Sequence, residues 1–363
     1  MAHRLKKQKS PHLWIKGLGS SVPPSVLKQQ SASEMIEEYF KDQLTPRSID
    51  VIRKVFSHES VRTRRVALDE GMEWRDLKNE DPDRRAERFL KWAVYLGCDA
   101  AEKAMKKAGV KPADVRALAV NTCTGYVCPG LSTYISQELG LSGDVMAFDL
   151  VGSGCGGAIP VLQCAGNALG SFDDGVALAI SVEICTATFQ MGNDISLIVS
   201  NALFGDGAGA AVIGSQSPGL GVLSWSSFYE QKFREEIRFT YKNGQLHNKL
   251  TPQLPKIIGE VVPPFVTEFL SSNELAPGDI AFWAIHPGGD RVITELQKAL
   301  GLSERDVAPA RTVLKNLGNM SSPTVWFELE DYIKGSPCKN DKIMMLAFGA
   351  GLSAHTVLLE NQM

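Results

Sequence analysis

Two stretches of the chain repeat one another. Pro112-Ala-Asp-Val-Arg-Ala-Leu-Ala-Val-Asn121 reads against Pro277-Gly-Asp-Ile-Ala-Phe-Trp-Ala-Ile-His286, 165 residues later. Each is a Pro-x-Asp loop followed by an apolar run of strand character. A Pro-Gly turn follows each run, at Pro129-Gly130 and Pro287-Gly288, and then a helical stretch ending Leu-Gly-Leu-Ser at 139–142 and 300–303. A third pair, Phe204-Gly-Asp-Gly-Ala-Gly and Phe348-Gly-Ala-Gly-Leu-Ser, again leads into strand-like runs. Three matches in one order imply an internal duplication.

Within each half, strands alternate with helices, which is the pattern of an α/β fold with a parallel core. Strands are expected at Val115–Asn121, Val145–Val151, Gly175–Ile184, Gly209–Ile213, Ile280–His286 and Ile343–Phe348. Helices are expected at Arg84–Lys107, Thr133–Leu139, Gly156–Leu169, Asp290–Leu300 and Val325–Ile333. The turn-rich Ser215-Gln-Ser-Pro-Gly219 places a boundary there. A first half over 1–216 would carry a mostly helical cap, residues 24 to 110, before its first repeat strand, and 217–363 would form the second half. Residues 1 to about 15 read as a loose tail.

Charge and cysteine content narrow the function. Lys and Arg number 38 against 41 Asp and Glu, for a net charge of −3, which lacks the basic excess of a nucleic-acid binder. No apolar run reaches bilayer-spanning length, and the basic start has no apolar core, so a cytoplasmic protein is expected. Seven cysteines in 363 residues do not suggest a disulfide framework. The six histidines show no ligand-spaced pair and no dinucleotide or P-loop fingerprint is present, so no metal or resident cofactor is expected.

Three residues stand out chemically. Cys155 lies in Gly-Ser-Gly-Cys-Gly-Gly between an expected strand and an expected helix. A thiol at a helix N-terminus feels the positive end of the dipole, which favours thiolate, and backbone N–H groups there can hold an oxyanion. The alternative is a small buried cysteine. His286 leaves the carboxyl end of the second repeat strand, where α/β folds bind ligands. Its imidazole can donate a hydrogen bond or move a proton, or it can be a satisfied structural histidine. Asn319 follows Cys155 by 164 residues, close to the repeat offset. Pseudo-symmetric halves would bring both turns to one interface beside His286. Otherwise Asn319 is a turn residue.

These residues make the chain similar to the thiolase superfamily, and within it to type III polyketide synthases, the chalcone/stilbene synthase-like family, of bacterial type. The resemblance rests on Gly154-Cys155-Gly156-Gly157, Ala202-Leu-Phe-Gly-Asp-Gly207, Ile285-His-Pro-Gly-Gly289 and Gly318-Asn-Met-Ser-Ser322. It implies duplicated βαβαβ halves in an α-β-α-β-α layered architecture. It also implies a homodimer and iterated decarboxylative Claisen condensation of malonyl-CoA onto an acyl-CoA starter, followed by cyclisation. Cys155 would carry the acyl group, while His286 and Asn319 would hold the malonyl thioester carbonyl. Phe204 would gate the CoA passage. Cys123, Cys185, Thr188, Ser321 and Gly288 would touch substrate.

Some positions depart from the plant members. Their second gating phenylalanine falls near Asn248, their C-terminal Gly-Phe-Gly-Pro-Gly reads Ala347-Phe-Gly-Ala-Gly351, and Cys123 and Cys185 replace cavity threonines. Arg53, Lys54, Arg62, Arg64 and Arg65 cover the stretch equivalent to a basic CoA-binding segment. They could equally form a solvated face. The runner-up function is an initiating ketoacyl-ACP synthase, against which His286-Pro-Gly-Gly argues. A hydroxymethylglutaryl-CoA synthase would need Glu183 as a cavity base, a thiolase would need Cys338 as a second cysteine, and a cysteine hydrolase would need neither the duplication nor Asn319.

Overall fold

The computed structural model describes residues 12–242, 244–335 and 337–363. Its strands are β1 (Trp14–Ser21), β2 (Val26–Lys28), β3 (Thr63–Arg65), β4 (Val115–Thr122), β5 (Met146–Val151), β6 (Val176–Glu183), β7 (Gly207–Gly214), β8 (Leu220–Tyr229), β9 (Ile237–Lys242), β10 (Gln245–Leu250), β11 (Phe282–Ile285), β12 (Lys342–Gly349) and β13 (Ser353–Asn361). Its helices are α1 (Gln29–Phe40), α2 (Pro46–Phe56), α3 (Pro82–Ala108), α4 (Leu131–Glu138), α5 (Ala158–Leu169), α6 (Ile195–Leu203), α7 (Leu254–Ser272), α8 (Asp290–Leu300), α9 (Glu304–Leu317) and α10 (Thr324–Lys334).

The duplication is visible in the strand pairing. β4 runs parallel to β6, as β11 does to β12. β6 pairs antiparallel with β7, as β12 does with β13. β7 pairs antiparallel with β1, as β13 does with β8. The halves join where β1 meets β8 at Trp14↔Gly221 and Ile15↔Leu220, giving the order β11-β12-β13-β8-β1-β7-β6-β4-β5. The sheet is therefore mixed, with the parallel pairing at its two outer ends, β12-β11 in the second half and β6-β4-β5 in the first. β5 extends the first half alone and, among the described residues, pairs only with β4.

Side-chain alternation builds the layers. Ala117 and Ala119 of β4 and Ala177 and Ala179 of β6 face α5, while Leu118, Val120, Leu178 and Ile180 face the outer helices α3 and α4. In the second half, Ile343, Met345 and Ala347 face inward, and Met344, Leu346 and Phe348 pack under α7, α8 and α9. α5 and α10 thus form a middle layer shared by both half-sheets, and the whole stacks α-β-α-β-α. Small inward residues let these helices approach closely. A Cβ on Gly209 of β7 would lie 2.5 Å from Trp326 of α10.

Two expectations are corrected. The part of the expected tail that is described is not loose: Leu13 is buried and Trp14 opens β1, while residues 1–11 lie outside the described residues. The cap is smaller than residues 24–110. α1, α2 and the antiparallel pair β2–β3, which brackets them in the chain, form it, together with α6, around Phe40, Trp74 and Phe189. α3 instead covers the first half-sheet, where Gly17 and Gly19 bring β1 against its backbone. Among the described residues no helix is long and apolar enough to cross a membrane.

Candidate active site

Cys155 sits where β5 gives way to α5. Gly152 and Gly154 take left-handed φ values of 85° and 55°, and a short 3₁₀ turn, Gly154–Gly157, runs directly into the helix. Neither conformation suits a larger residue. The end of β12 presses on this turn. A Cβ on Gly349 would lie 2.9 Å from the Cys155 nitrogen, and one on Gly157 would lie 2.3 Å from Asn121 Nδ2. The turn is therefore held from both half-sheets.

Cys155 opens into a cavity whose walls also include Cys123, Cys185, Thr188, Phe204 and Ser321. Asn319 adjoins two of these walls, Phe204 and Ser321, and His286 is not among the lining residues. Phe204 and Asn319 form a parallel bridge in which Asn319 N–H donates to Leu203 O (2.8 Å) and Gly205 N–H to Asn319 O (3.0 Å). The Asn319 side-chain oxygen accepts from Ser321 N–H at 2.7 Å, which orients the amide. His286 follows β11, and its N–H donates to Leu346 O at 2.8 Å. Its ring packs edge-on against Phe348, 5.3 Å between centroids, one residue before the Gly349 that presses on Cys155. Gly288 is not part of the cavity wall. It lies against Phe348, where a Cβ would come within 3.1 Å of the ring.

Burial dominates the electrostatics. The Cys155 thiol is pushed up to about 12 by desolvation and further by the Glu183 charge, with a hydrogen bond from Ser321 opposing. The thiolate expected from the helix dipole alone is thus overridden. Burial favours the protonated sulfur. Burial also raises the Cys123 and Cys185 thiols well above their usual range. It drives His286 down to about 3, so the ring is neutral near pH 7, and its Nδ1 has no hydrogen-bond partner.

Glu183, fully buried at the end of β6, is saturated. It accepts from Thr122 Oγ1, Cys123 N–H, Thr124 Oγ1, Ser321 Oγ and Ser322 Oγ at 2.9–3.3 Å. It is turned into this network and not into the cavity, so it is not the free base of a hydroxymethylglutaryl-CoA synthase. Cys338 is exposed on a loop beside Asp341, away from Cys155. Thr188 Oγ1 donates to Cys185 O, its local partner.

The sequence reading named Asn248 but not the hairpin that carries it. β9 and β10 form a separate two-stranded sheet that adds Phe239, Asn248 and Leu250 to the cavity wall. The hairpin's signal is nonetheless in the sequence: Ile237, Phe239 and Tyr241 alternate with Arg238, Thr240 and Lys242, and an Asn-Gly pair follows at 243–244. Arg64, counted with the basic stretch, is buried, and Arg65 reaches the carbonyls of Pro23 and Pro24.

A duplicated, layered fold with a buried cysteine at a helix start, opening into a cavity, is that of a condensing acyltransferase of thiolase type. Residues 27–220 match the model for FAE1/type III polyketide synthase-like proteins, and 232–362 match that for the C-terminal domain of chalcone and stilbene synthases. The chain belongs to the type III polyketide synthase family. It is 30% identical over 359 residues to the alpha-pyrone synthesis polyketide synthase-like Pks18 of Mycobacterium tuberculosis, covering 95% of this chain and 90% of that one. It is 28% identical over 350 residues to the 3,5-dihydroxyphenylacetyl-CoA synthase of Amycolatopsis balhimycina, covering 95% and 92%. Among solved structures, PKS-I from the brown alga Ectocarpus siliculosus superposes with a TM-score of 0.89 at 26% identity, covering 98% of this chain and all of that one. The 1,3,6,8-tetrahydroxynaphthalene synthase of Streptomyces coelicolor, at 21% identity, shares the fold with a TM-score of 0.87 over 96% of this chain and 99% of that one.

Proposed function

We propose that Cys155 carries the growing acyl chain of this polyketide synthase, and that His286 and Asn319 stabilise the enolate formed from malonyl-CoA. The observation that carries this reading is the bridge between Phe204 and Asn319, which seats Asn319 against a wall of the Cys155 cavity. The Cys155 sulfur attacks the thioester carbonyl of an acyl-CoA starter. The acyl group moves to sulfur, and the displaced CoA thiolate takes up the thiol proton. Malonyl-CoA then loses CO2, and the electron pair left behind spreads onto its thioester oxygen. Asn319, its oxygen occupied by Ser321 N–H, offers its Nδ2 hydrogens to that oxygen, and neutral His286 offers a ring N–H. Neither removes a proton from carbon, because loss of CO2 generates the nucleophile. The carbanion attacks the Cys155 thioester, the lengthened chain returns to Cys155, and cyclisation ends the series.

The cycle uses CoA thioesters as substrates and requires no resident cofactor. A groove beside the cap has Lys28, His58, Arg62 and Lys315 on its walls alongside Glu34 and Glu59, with Arg53 paired to Glu37, and its other basic groups suit the CoA phosphates. Arg64 and Arg65 are engaged inside the protein and take no part in it. A homodimer completes the proposal. β5 is a sheet edge with Met146 and Val151 exposed, and Tyr126 nearby is 75% exposed.

Intact-mass analysis after incubation with an acyl-CoA tests the carrier role. The parent should gain one acyl mass and Cys155→Ala none. An adduct that persists on the alanine variant would sink the assignment.

A further inference from the structure

The last three carbonyls of α6 and that of Phe204, which follows it, are all taken by groups from elsewhere in the chain. Arg64 Nη1 donates to Asn201 O (2.5 Å) and to Phe204 O (2.9 Å). Gln29 Nε2 donates to Ala202 O at 2.8 Å. Asn319 N–H donates to Leu203 O at 2.8 Å. A helix leaves its last carbonyls without intrahelical partners, and a cation is favoured at that end. Here a guanidinium, a side-chain amide and the backbone of Asn319 fill those places together. The first two are themselves joined, because Arg64 Nε donates to Gln29 Oε1 at 3.0 Å.

The same arginine touches the other side of the Asn319 turn. Gly318 has φ 76°, and a Cβ there would lie 2.7 Å from Arg64 Cγ. The strand that carries Arg64 also grips the preceding helix: Arg62 N–H donates to Lys315 O and Thr63 Oγ1 to Asn316 O, both at 2.7 Å. Arg64 itself is 2% exposed and does not reach the Cys155 cavity wall.

We propose that Arg64 is a positioning residue that sets the end of α6 and the Asn319 turn as one unit, so that it governs decarboxylation of malonyl-CoA without governing acyl loading at Cys155. This rests on the residue roles proposed above. Arg64 spans two carbonyls with one nitrogen and holds Gln29 with another, which a single ammonium cannot reproduce. Cys155 is placed by β5, β12 and α5, none of which Arg64 bonds. A shift of Asn319 would therefore reach the enolate step and leave the nucleophile where it is.

The test uses the full chain with hexanoyl-CoA as the loading probe and malonyl-CoA for CO2 release. Arg64→Lys should acylate Cys155 at close to the parent rate. Its kcat for CO2 release should fall roughly 10²-fold, the scale of a small misplacement of a reacting group, with KM for malonyl-CoA little changed. Combined with Asn319→Ala, it should add little to the loss caused by Asn319→Ala alone, because both act on one group. Losses that multiply in full, loading and decarboxylation that fall together, or an unchanged Arg64→Lys would each overturn the proposal. If Arg64→Lys fails to fold, Gln29→Met is read in the same way, with a smaller loss expected. Unfolding of both variants would also overturn it, since that is what a purely structural role requires. A parent that neither loads Cys155 nor releases CO2 counts against the residue roles. A working parent whose variants miss these expectations counts against Arg64 alone.

Discussion

The hydroxyl of Ser321 donates to Glu183 Oε1 at 3.3 Å, and its presence beside the Cys155 thiol opposes the rise that burial imposes there. It also lies 3.5 Å from Cys123 Sγ, and its backbone takes a φ of 61°. The hydroxyl has one hydrogen to give, and a sulfur and a carboxylate both stand in reach. Burial favours the neutral thiol in the resting enzyme. As negative charge builds on sulfur during acyl transfer, the hydroxyl hydrogen gains from turning toward it. Glu183 keeps its bond from Ser322 throughout.

Ser321→Ala should therefore slow acyl loading near neutral pH by roughly tenfold or more, the worth of a hydrogen bond to a charged group. The hydrogen bond lowers the thiol pKa, so its loss raises that pKa and shrinks the thiolate fraction at any given pH. Loading rates followed by mass spectrometry from pH 7 to pH 10 should show the variant's profile displaced to the alkaline side. Superimposable profiles would show that Ser321 does not serve the nucleophile.

Asn319→Ala should separate the two half-reactions. Removal of one oxyanion donor costs about 10²–10³ in rate, so CO2 release from malonyl-CoA should fall by that factor. Acylation of Cys155 should continue, because the backbone bridge to Phe204 does not use the side chain. CO2 release near the parent rate would reduce Asn319 to a turn residue.

Much of this site was legible because glycine and proline mark it. The paired Pro-x-Asp loops disclosed β4 and β11, and the glycines around Cys155 disclosed a strand-to-helix turn. β1 stayed hidden because Gly17 and Gly19 lower its strand character, yet both are there to admit the backbone of α3. α7 was obscured by Pro263 and Pro264, which lie inside it. The protonation of Cys155 was not legible at all. A helix start argues for thiolate, and the burial of the sulfur, with the nearness of Glu183, works against that.

Pairing through the first half predicts a dimer of about 79 kDa, twice the 39.5 kDa chain. Among the described residues β5 pairs on one side only, and an open strand edge with exposed apolar residues favours a second strand. Light scattering should find this mass in the active enzyme. A stable, active particle of 39.5 kDa would reject it.

Phe204 separates two chambers. It lines the cavity of Cys155 on one side, and on the other a smaller space bounded by Arg64, Trp74, Phe189 and Asn201. Its side chain is only partly buried, while its backbone makes the bridge to Asn319 and accepts from Arg64. Phe204→Ala removes the ring and keeps those backbone bonds. Loading of Cys155 and decarboxylation should survive, and the two chambers should merge. The starter preference or the product chain length should then change. A fully buried phenylalanine cut to alanine costs ~3–5 kcal/mol, and a partly buried one on a cavity wall should cost less. Melting temperature and product profile are measured on the same preparation. A nearly unchanged melt with altered products is the expected outcome. A large fall in melting temperature with an unchanged product spectrum would show that Phe204 is ordinary core, since only its packing, and not its place between the chambers, would then matter.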